Sequence, residues 1–481
     1  MHSGCLRVKQ RMNLREQVIK GGACLAFRQG IGLVLGLGGT LLLTRALGPG
    51  NFGLYTFASG IVGYLGSLTG LGVNIYLIRR HAGPGRDVYR QAFALMLLAG
   101  ISGLLLGAAA LPLLQKWLHS RAFSAPLGVM LLTLPFTAMA SPAMARLERE
   151  LNYRSVAAAE LGGQFIYYGI AVVLAYKGRG VWAPVAGYFT GQVFVFVAAC
   201  RLARLAPRLS WSKDLAKEML RYGAGYSASH WVWQLRSLVN PLIVGRYAGP
   251  EGVGYVALVV RLVEALGFVK GAAWRLSIAV LGKLQGDYPR LRRAVEKAML
   301  LQVLVLGFLL SGFAAISPWL LPVLFGESWN PVLVLYPFVA TGYLLNAVFS
   351  LHSSVLYVFC RNWEVAWFHM THILLFAGGA LFFLPRFGLP GYGLAELAAL
   401  LSYSVIHLYV RKLFRLSCAG AAVWLASFLP LFFVSCLGWP AGIFLSLPLW
   451  ATLALPGPRK DLLKAVLDVK MRCNSRDSKE G

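Results

Sequence analysis

Long apolar runs alternate with short polar and basic stretches along the whole chain, and runs of this length read as membrane-spanning helices. They predict spans near 18–46, 53–78, 91–114, 125–145, 156–176, 180–200, 222–246, 252–271, 295–316, 331–359, 363–384, 390–410, 417–437 and 438–456. At about 20 residues per span plus a short connection, the chain holds about fourteen transmembrane helices and leaves no length for a soluble catalytic domain. The first run is too long for the core of a cleaved signal peptide and no small-residue cleavage pattern follows it, so it reads as an uncleaved anchor. Composition agrees. Of 481 residues 58% are hydrophobic and 13% charged, and mean hydropathy is +0.64, whereas a soluble domain carries about 45–50% apolar and about 25% charged residues.

The formal net charge of +28 fits nucleic-acid binding if the basic residues share a solvated face, or membrane topology if they alternate between loops. Their positions decide. With the N-terminus taken as cytoplasmic because Arg7, Lys9, Arg11, Arg15 and Lys20 precede the first span, 36 of the 46 Lys and Arg residues fall on inner loops and tails. Seven lie on outer loops (Arg45, Lys116, Arg121, Lys177, Arg179, Arg246, Arg386), and three, Arg28, Arg236 and Arg261, fall inside spans. This is a positive-inside pattern, which argues against a nucleic-acid partner and directs the basic loops at anionic membrane lipids. An even number of spans returns the basic tail, from Arg459 to Lys479, to the cytoplasm. The seven cysteines (Cys5, Cys24, Cys200, Cys360, Cys418, Cys436, Cys473) form no CxxC pair, so they suggest neither a disulfide framework nor a zinc site.

The chain matches itself at an offset of 201 residues, with eleven identities in the 47 ungapped positions from 20 to 66. The core of the match is Arg45-Ala-Leu-Gly-Pro-Gly-Asn-Phe-Gly53 against Arg246-Tyr-Ala-Gly-Pro-Glu-Gly-Val-Gly254. Six spans separate the copies, and an even number gives both halves the same orientation. The predicted fold is therefore an all-α polytopic membrane protein with two six-helix lobes related by a pseudo-twofold axis along the membrane normal, plus two C-terminal helices. The lobes are expected at 1–205 and 223–412, joined by a cytoplasmic amphipathic linker at 206–222 with Ser212 as candidate N-cap; spans 13 and 14 occupy 413–457, and 458–481 is a basic tail. Gly32 and Gly36 form a GxxxG, with Gly63, Gly66 and Gly70 at helical spacing. These suit close helix packing or a bending motion.

An ionisable group at membrane depth costs several kcal/mol unless it faces a cavity or a partner. Arg28 lies about 12 Å beyond Lys20 at helical rise and reads either as snorkelling or as cavity-lining. Arg236 sits mid-span, with Gln234 or Asn240 as candidate partners. Arg261 has Glu264 one turn away on the same face, as ion pair or cavity wall. The repeat makes spans 1, 2, 7 and 8 equivalent, so a cationic cavity between the lobes is expected, suited to phosphate or diphosphate oxygens. His230, Trp231 and Trp233 flank Arg236 and can stack on sugar rings or serve as interface-belt aromatics. Glu160 and Glu396 are candidates for a coupling proton or cation, or for interhelical hydrogen bonds. His369 and His372 stand one turn apart with no third ligand near in sequence, so no metal or other cofactor is expected.

The run Leu43-Thr-Arg-Ala-Leu-Gly-Pro-Gly-Asn-Phe-Gly-Leu-Tyr55, then Gly70-Leu-Gly72 ahead of Ile78-Arg-Arg80, and Leu324-Phe-Gly-Glu-Ser-Trp329 resemble the Wzx-like oligosaccharide flippases. These polysaccharide exporters belong to the multidrug/oligosaccharidyl-lipid/polysaccharide (MOP) superfamily, with the multidrug and toxin extrusion antiporters and the lipid II flippase. The resemblance implies a V-shaped pair of lobes that works by alternating access. It implies a flippase, not an enzyme, that passes a polyprenyl-(di)phosphate-linked oligosaccharide from the cytoplasmic to the outer leaflet of the bacterial inner membrane, for O-antigen, capsule or exopolysaccharide synthesis. In similar proteins arginines on spans 1 and 8 line the cavity, which by helix would be Arg28 and Arg261 here. Coupling to membrane potential, H+ or Na+ is expected, with a polysaccharide polymerase and chain-length or export proteins as partners. A groove for the lipid tail between spans 13 and 14, present in some relatives, is weakened here by Pro440 and Pro448.

Two alternatives stand beside this reading. A cation-coupled multidrug exporter of the same superfamily calls for acidic cavity residues, whereas the cavity expected here is basic. A membrane-embedded glycan polymerase or ligase calls for sizeable outer loops, and the outer loops here are short, with Glu251 and Glu327 as their acids.

Overall fold

Hydrocarbon offers the backbone no hydrogen-bond partner, so a chain this apolar must satisfy its amides within each segment, and helices do so. The computed structural model describes the backbone of residues 2–80, 85–268, 270, 281, 286–460 and 462, and the side chains of these except at 2–27, 224–226, 228–229 and 233. The chain is a multi-pass, all-helical membrane protein over the described residues. It divides into two compact units, Met1–Gly254 and Tyr255–Gly481. The first holds α1 (His2–Thr69), α2 (Val73–Arg79), α3 (Arg86–Leu118), α4 (Ser124–Leu131), α5 (Leu134–Arg149), α6 (Tyr153–Tyr176), α7 (Trp182–Leu202) and α8 (Lys213–Gln234). The start of α9 (Gly249–Leu266) belongs to it as well. The second holds the rest of α9, then α10 (Tyr288–Phe325), α11 (Pro331–Val358), α12 (Asn362–Phe387), α13 (Leu389–Ala399), α14 (Ser402–Arg411), α15 (Ala419–Phe432) and α16 (Trp439–Ala454).

Ten of the described helical segments are long and apolar enough to cross a membrane, and the difference from about fourteen has local causes. Spans 1 and 2 run on as one segment, Arg28–Thr69, broken only at Gly48, whose φ of 68° and ψ of 173° turn the chain ahead of Pro49. Span 7 is interrupted: α8 ends at Gln234, a 3₁₀ turn covers Leu235–Leu238, and a π turn covers Asn240–Val244. Pro241 lacks the N–H that a regular α-helix needs there. Span 8 carries three charges, Glu251, Arg261 and Glu264, and span 14 is a helix of only 16 residues, Trp439–Ala454.

Polar caps mark the segments that start after basic loops. Asn152 accepts from Ser155 N at 3.2 Å, Ser212 from Leu215 N at 3.5 Å and Asp287 from Arg290 N at 3.0 Å. Each fills one of the free amide donors of a helix start. The linker expected at 206–222 is not a separate helix. Its second half is the first turns of α8, docked on α2 and α3 by Tyr76 Oη donating to Glu218 Oε1 at 2.6 Å and by Ser212 N donating to Gln91 Oε1 at 2.6 Å. Met219, fully buried, joins Val73, Leu77, Phe93 and Leu147 in the core beneath. In the second unit the core is aromatic: Trp329, Tyr336, Tyr392, Trp424 and Phe428 are all buried, and Tyr336 Oη donates to Leu310 O at 2.7 Å. Outward positions such as Leu113, Phe165, Trp363 and Phe444 stay exposed, as lipid-facing side chains should.

The repeat found in sequence is also a repeat in geometry. Gly48 and its counterpart Gly249 both have positive φ, 68° and 66°. The two Gly-Pro corners pack against each other reciprocally: a Cβ on Gly53 would lie 1.7 Å from Pro250 O, and one on Gly254 would lie 2.4 Å from Pro49 O. Reciprocal contact of this kind is what a twofold relation between two copies produces. It also explains why the first compact unit ends at Gly254 rather than at the linker, since the second corner packs on the first.

Gly53→Ala is therefore expected to destabilise the purified protein by about 1–3 kcal/mol through overpacking, read as a lowered thermal unfolding midpoint. Gly63→Ala, whose added Cβ meets nothing within 4 Å, should leave the midpoint unchanged or raise it slightly. Equal midpoints for the two variants would contradict the corner contact.

Candidate functional site

Span 1 and α6 meet along two rows of residues at i, i+4 spacing. On span 1 the row is Arg28, Gly32, Gly36 and Thr40; on α6 it is Glu160, Gln164 and Tyr168. Arg28 Nη2 pairs with Glu160 Oε2 at 2.6 Å. One turn on, Gln164 Nε2 donates to Gly32 O at 2.8 Å. Another turn on, Tyr168 Oη donates to Gly36 O at 3.2 Å and lies 3.4 Å from Thr40 Oγ1. Numbers rise together on both helices, so the segments run parallel, and the ladder covers about 18 Å at helical rise.

The glycines of span 1 admit this partner. A Cβ on Gly32 would meet Gln164 Oε1 at 3.2 Å, and one on Gly39 would enter the Tyr168 ring at 2.1 Å. The GxxxG thus serves close packing against α6. The ion pair at the ladder's end is not sealed: the Arg28 and Glu160 side chains keep 36% and 33% exposure. A charged pair with one open side can exchange one anionic partner for another without stranding a buried charge, which is what an anion-binding position at membrane depth requires.

The other expected site residues of the first unit lie on the interrupted span 7. Arg236 is half-buried in the 3₁₀ turn and engaged in an interaction of its own. Asn240, at the start of the π turn, leaves Oδ1 buried without a hydrogen-bond partner. Trp231 Nε1 donates to Ser67 O at 2.9 Å, tying span 7 to span 2, so its indole already has a structural partner. His230 is exposed, and the Trp233 side chain lies outside the described residues.

In the second unit Arg261 is half-buried and Glu264 exposed on α9, and both have partners. Glu396 on α13 is 4% exposed; it accepts from Tyr392 Oη at 3.1 Å and lies against Gly342 of α11. His372 Nδ1 lies 3.0 Å from Ser402 Oγ, and the His369 ring packs on Phe368 with centroids 4.9 Å apart. Lys270 is a membrane-end cation that sequence reasoning counted only as a topology determinant. Its Nζ donates to Asn346 Oδ1 and sits 4.2 Å from the Tyr343 ring centroid, while Asn346 Nδ2 donates to Tyr403 Oη at 2.8 Å. The one available signal was Asn346, a polar residue inside the apolar span 10.

The pattern of the polysaccharide biosynthesis protein family matches residues 42–334. The succinoglycan biosynthesis transport protein ExoT of Rhizobium meliloti (strain 1021) is 24% identical over 290 residues, covering 60% of this chain and 58% of that protein. The chain therefore spans little more than half the length of that relative. The lipopolysaccharide biosynthesis protein WzxC of Escherichia coli (strain K12) is 22% identical over 353 residues, 72% of this chain and 70% of that protein. Among solved structures, the lipid II flippase MurJ in an inward closed conformation is similar with a TM-score of 0.69, 13% identity, and coverage of 89% of this chain and 98% of that one. At that identity the likeness is one of fold.

A double-mutant cycle on Arg28→Met and Glu160→Met, read by thermal unfolding, is expected to give a coupling of about 1 kcal/mol, with the double variant less destabilised than the sum of the singles. Strict additivity would contradict the pair. Trp231→Phe, which removes one donor to Ser67 O, should cost about 1 kcal/mol.

Proposed function

We propose, from the premise that the chain belongs to the polysaccharide biosynthesis protein family, that it is a flippase and not an enzyme. On this reading it carries a polyprenyl-(di)phosphate-linked oligosaccharide from the cytoplasmic to the outer leaflet of a bacterial inner membrane by alternating access, with both termini cytoplasmic. The observation that carries this reading is the half-open Arg28–Glu160 pair at the start of the first span. A lipid-linked glycan cannot cross unaided, because its hydroxyls and phosphate charge would be unsatisfied in hydrocarbon. Arg28 offers a guanidinium fork matched to phosphate oxygens, and Glu160 holds that charge until the substrate arrives. Phosphate entering displaces the carboxylate from Arg28, and release lets the carboxylate return.

The names of the relatives and of the fold neighbour, a succinoglycan transport protein and a lipid II flippase, support the same substrate class. On this reading Arg236 in the first unit and Arg261 in the second are further substrate-contacting cations, with His230 and the face of the Trp231 ring beside Arg236. Glu264 holds Arg261, and Glu160 and Glu396 are the groups through which H+ or Na+ would couple. An inside-negative potential favours outward movement of an anion by about 2.3 kcal/mol per charge per 100 mV, so the potential alone can drive export. A polysaccharide polymerase and chain-length or export proteins would take up the product.

Depletion of the protein in its host should make a polyprenyl-linked oligosaccharide accumulate in the cytoplasmic leaflet, reversed by re-expression of wild-type protein. Arg28→Ala and Arg261→Ala should insert normally and fail to restore export, with a loss of at least about tenfold, equivalent to about 1.4 kcal/mol. Accumulation in the outer leaflet, or full rescue by both variants, would overturn the proposal.

A further inference from the structure

We propose that His352, His407 and Cys418 form a binding site for a zinc-type transition-metal cation. These residues come from three separate elements: α11, α14 and the residue that opens α15. Among the described residues they bring one imidazole nitrogen each and the thiol sulfur within 4.8 Å of one another. His352 Nε2 and His407 Nδ1 are 3.2 Å apart, with the rings inclined at 50°. Zinc bonds of about 2.0–2.1 Å to nitrogen and about 2.3 Å to sulfur in tetrahedral array place nitrogen pairs about 3.4 Å apart and nitrogen–sulfur pairs about 3.6 Å apart. The imidazole pair already stands at that spacing. The thiol sulfur lies within 4.8 Å of a nitrogen of each imidazole.

A hydrogen bond between two neutral imidazoles would account for the nitrogen pair, but not for the thiol beside it. His352 is fully buried, while His407 and Cys418 are half-buried, so the site has a dry floor and one open side, where water completes the coordination. Three protein ligands and an open fourth position make a recognised zinc arrangement. Two imidazoles and a thiolate select a borderline or soft cation over Mg2+ or Ca2+, which take oxygen ligands. The surroundings hold the thiol in place. Glu296 Oε1 accepts from Ser417 N at 2.7 Å and from Arg292 Nε at 2.8 Å, fixing the backbone next to Cys418, an outer-shell role of the kind that orients metal ligands.

Occupied, the site would fasten the 412–418 connection and the start of α15 to α11. These three ligands take no part in the proposed transport, so the site stands whether or not the protein is a flippase. The test uses the full-length protein in detergent, freed of affinity tag and stripped with a chelator, titrated with Co2+ alone and then with Zn2+. The expected result is one equivalent of Co2+ with a thiolate-to-cobalt charge-transfer band that Zn2+ abolishes, and a Zn2+-dependent rise in the thermal unfolding midpoint. Cys418→Ser should lose the band, and both it and His407→Ala should weaken binding by at least about tenfold, the lower bound seen even for outer-shell changes. Cys436→Ser, at an exposed cysteine elsewhere, should keep the band. Because both altered ligands are only half-buried, folding is checked by monodisperse elution; if His407→Ala fails to fold, Cys418→Ser decides alone. No saturable band in the wild type, or an undiminished band in Cys418→Ser, would overturn the site.

Discussion

A guanidinium at the start of an apolar span needs a counterion, and much of the first unit follows from how Arg28 is paired. Its counterion, Glu160, sits on a helix that must run parallel to span 1 and close to it, because the next rungs of the ladder are a Gln164 amide and a Tyr168 hydroxyl that reach backbone carbonyls of span 1. Those carbonyls are reachable only where side chains are missing, at Gly32 and Gly36, and the ring of Tyr168 fits only over Gly39. One charge thus fixes a run of small residues on one helix and a run of polar residues on another. Bulkier residues in the first run, or apolar ones in the second, would part Arg28 from its counterion.

The same economy of contact appears at the corners. Gly48 and Gly249 turn the chain at positive φ, and Gly53 and Gly254 then let each corner rest on the other's carbonyl. At the opposite end of span 2 the approach is again backbone to backbone, where a Cβ on Gly223 would meet Leu71 O at 1.9 Å. Between these contacts span 7 loses regular helix geometry at Leu235–Leu238 and Asn240–Val244. Arg236 lies in that interrupted stretch. A π turn in a transmembrane helix is a common mark of a functional position, and here it coincides with the buried, unmatched Oδ1 of Asn240.

The helical class, the places of most spans and the repeat were legible in the sequence because each rests on chain-local signals: apolar run length, loop charge and the Gly-Pro corner. Ser212 was legible as a cap for the same reason. What was not legible depends on which helices become neighbours. Arg28 read as a cavity or snorkelling residue and Glu160 as a coupling group, 132 positions away in sequence, and only the packing of span 1 on α6 joins them. Trp231 read as a sugar platform or an interface-belt aromatic, and nothing in the sequence around it signalled that the indole N–H donates to Ser67 O. His352, His407 and Cys418 belong to three elements, so no spacing rule brings them together. Lys270 was hidden among the basic residues that set topology.

On the proposed function, Arg28, released from Glu160 by an anionic headgroup, carries a lipid-linked glycan across the membrane. The most direct test is reconstitution of the purified protein in liposomes that contain a polyprenyl-diphosphate-linked oligosaccharide in both leaflets, followed by a membrane-impermeant glycosidase that reads the exposed fraction over time. With wild-type protein, glycolipid from the inner leaflet should become accessible until nearly all is cleaved, and with Arg28→Ala the accessible fraction should stay at the level of protein-free liposomes. Wild-type protein that leaves the inner-leaflet pool protected, or an Arg28→Ala variant that moves it as fast as wild type, would contradict the claim.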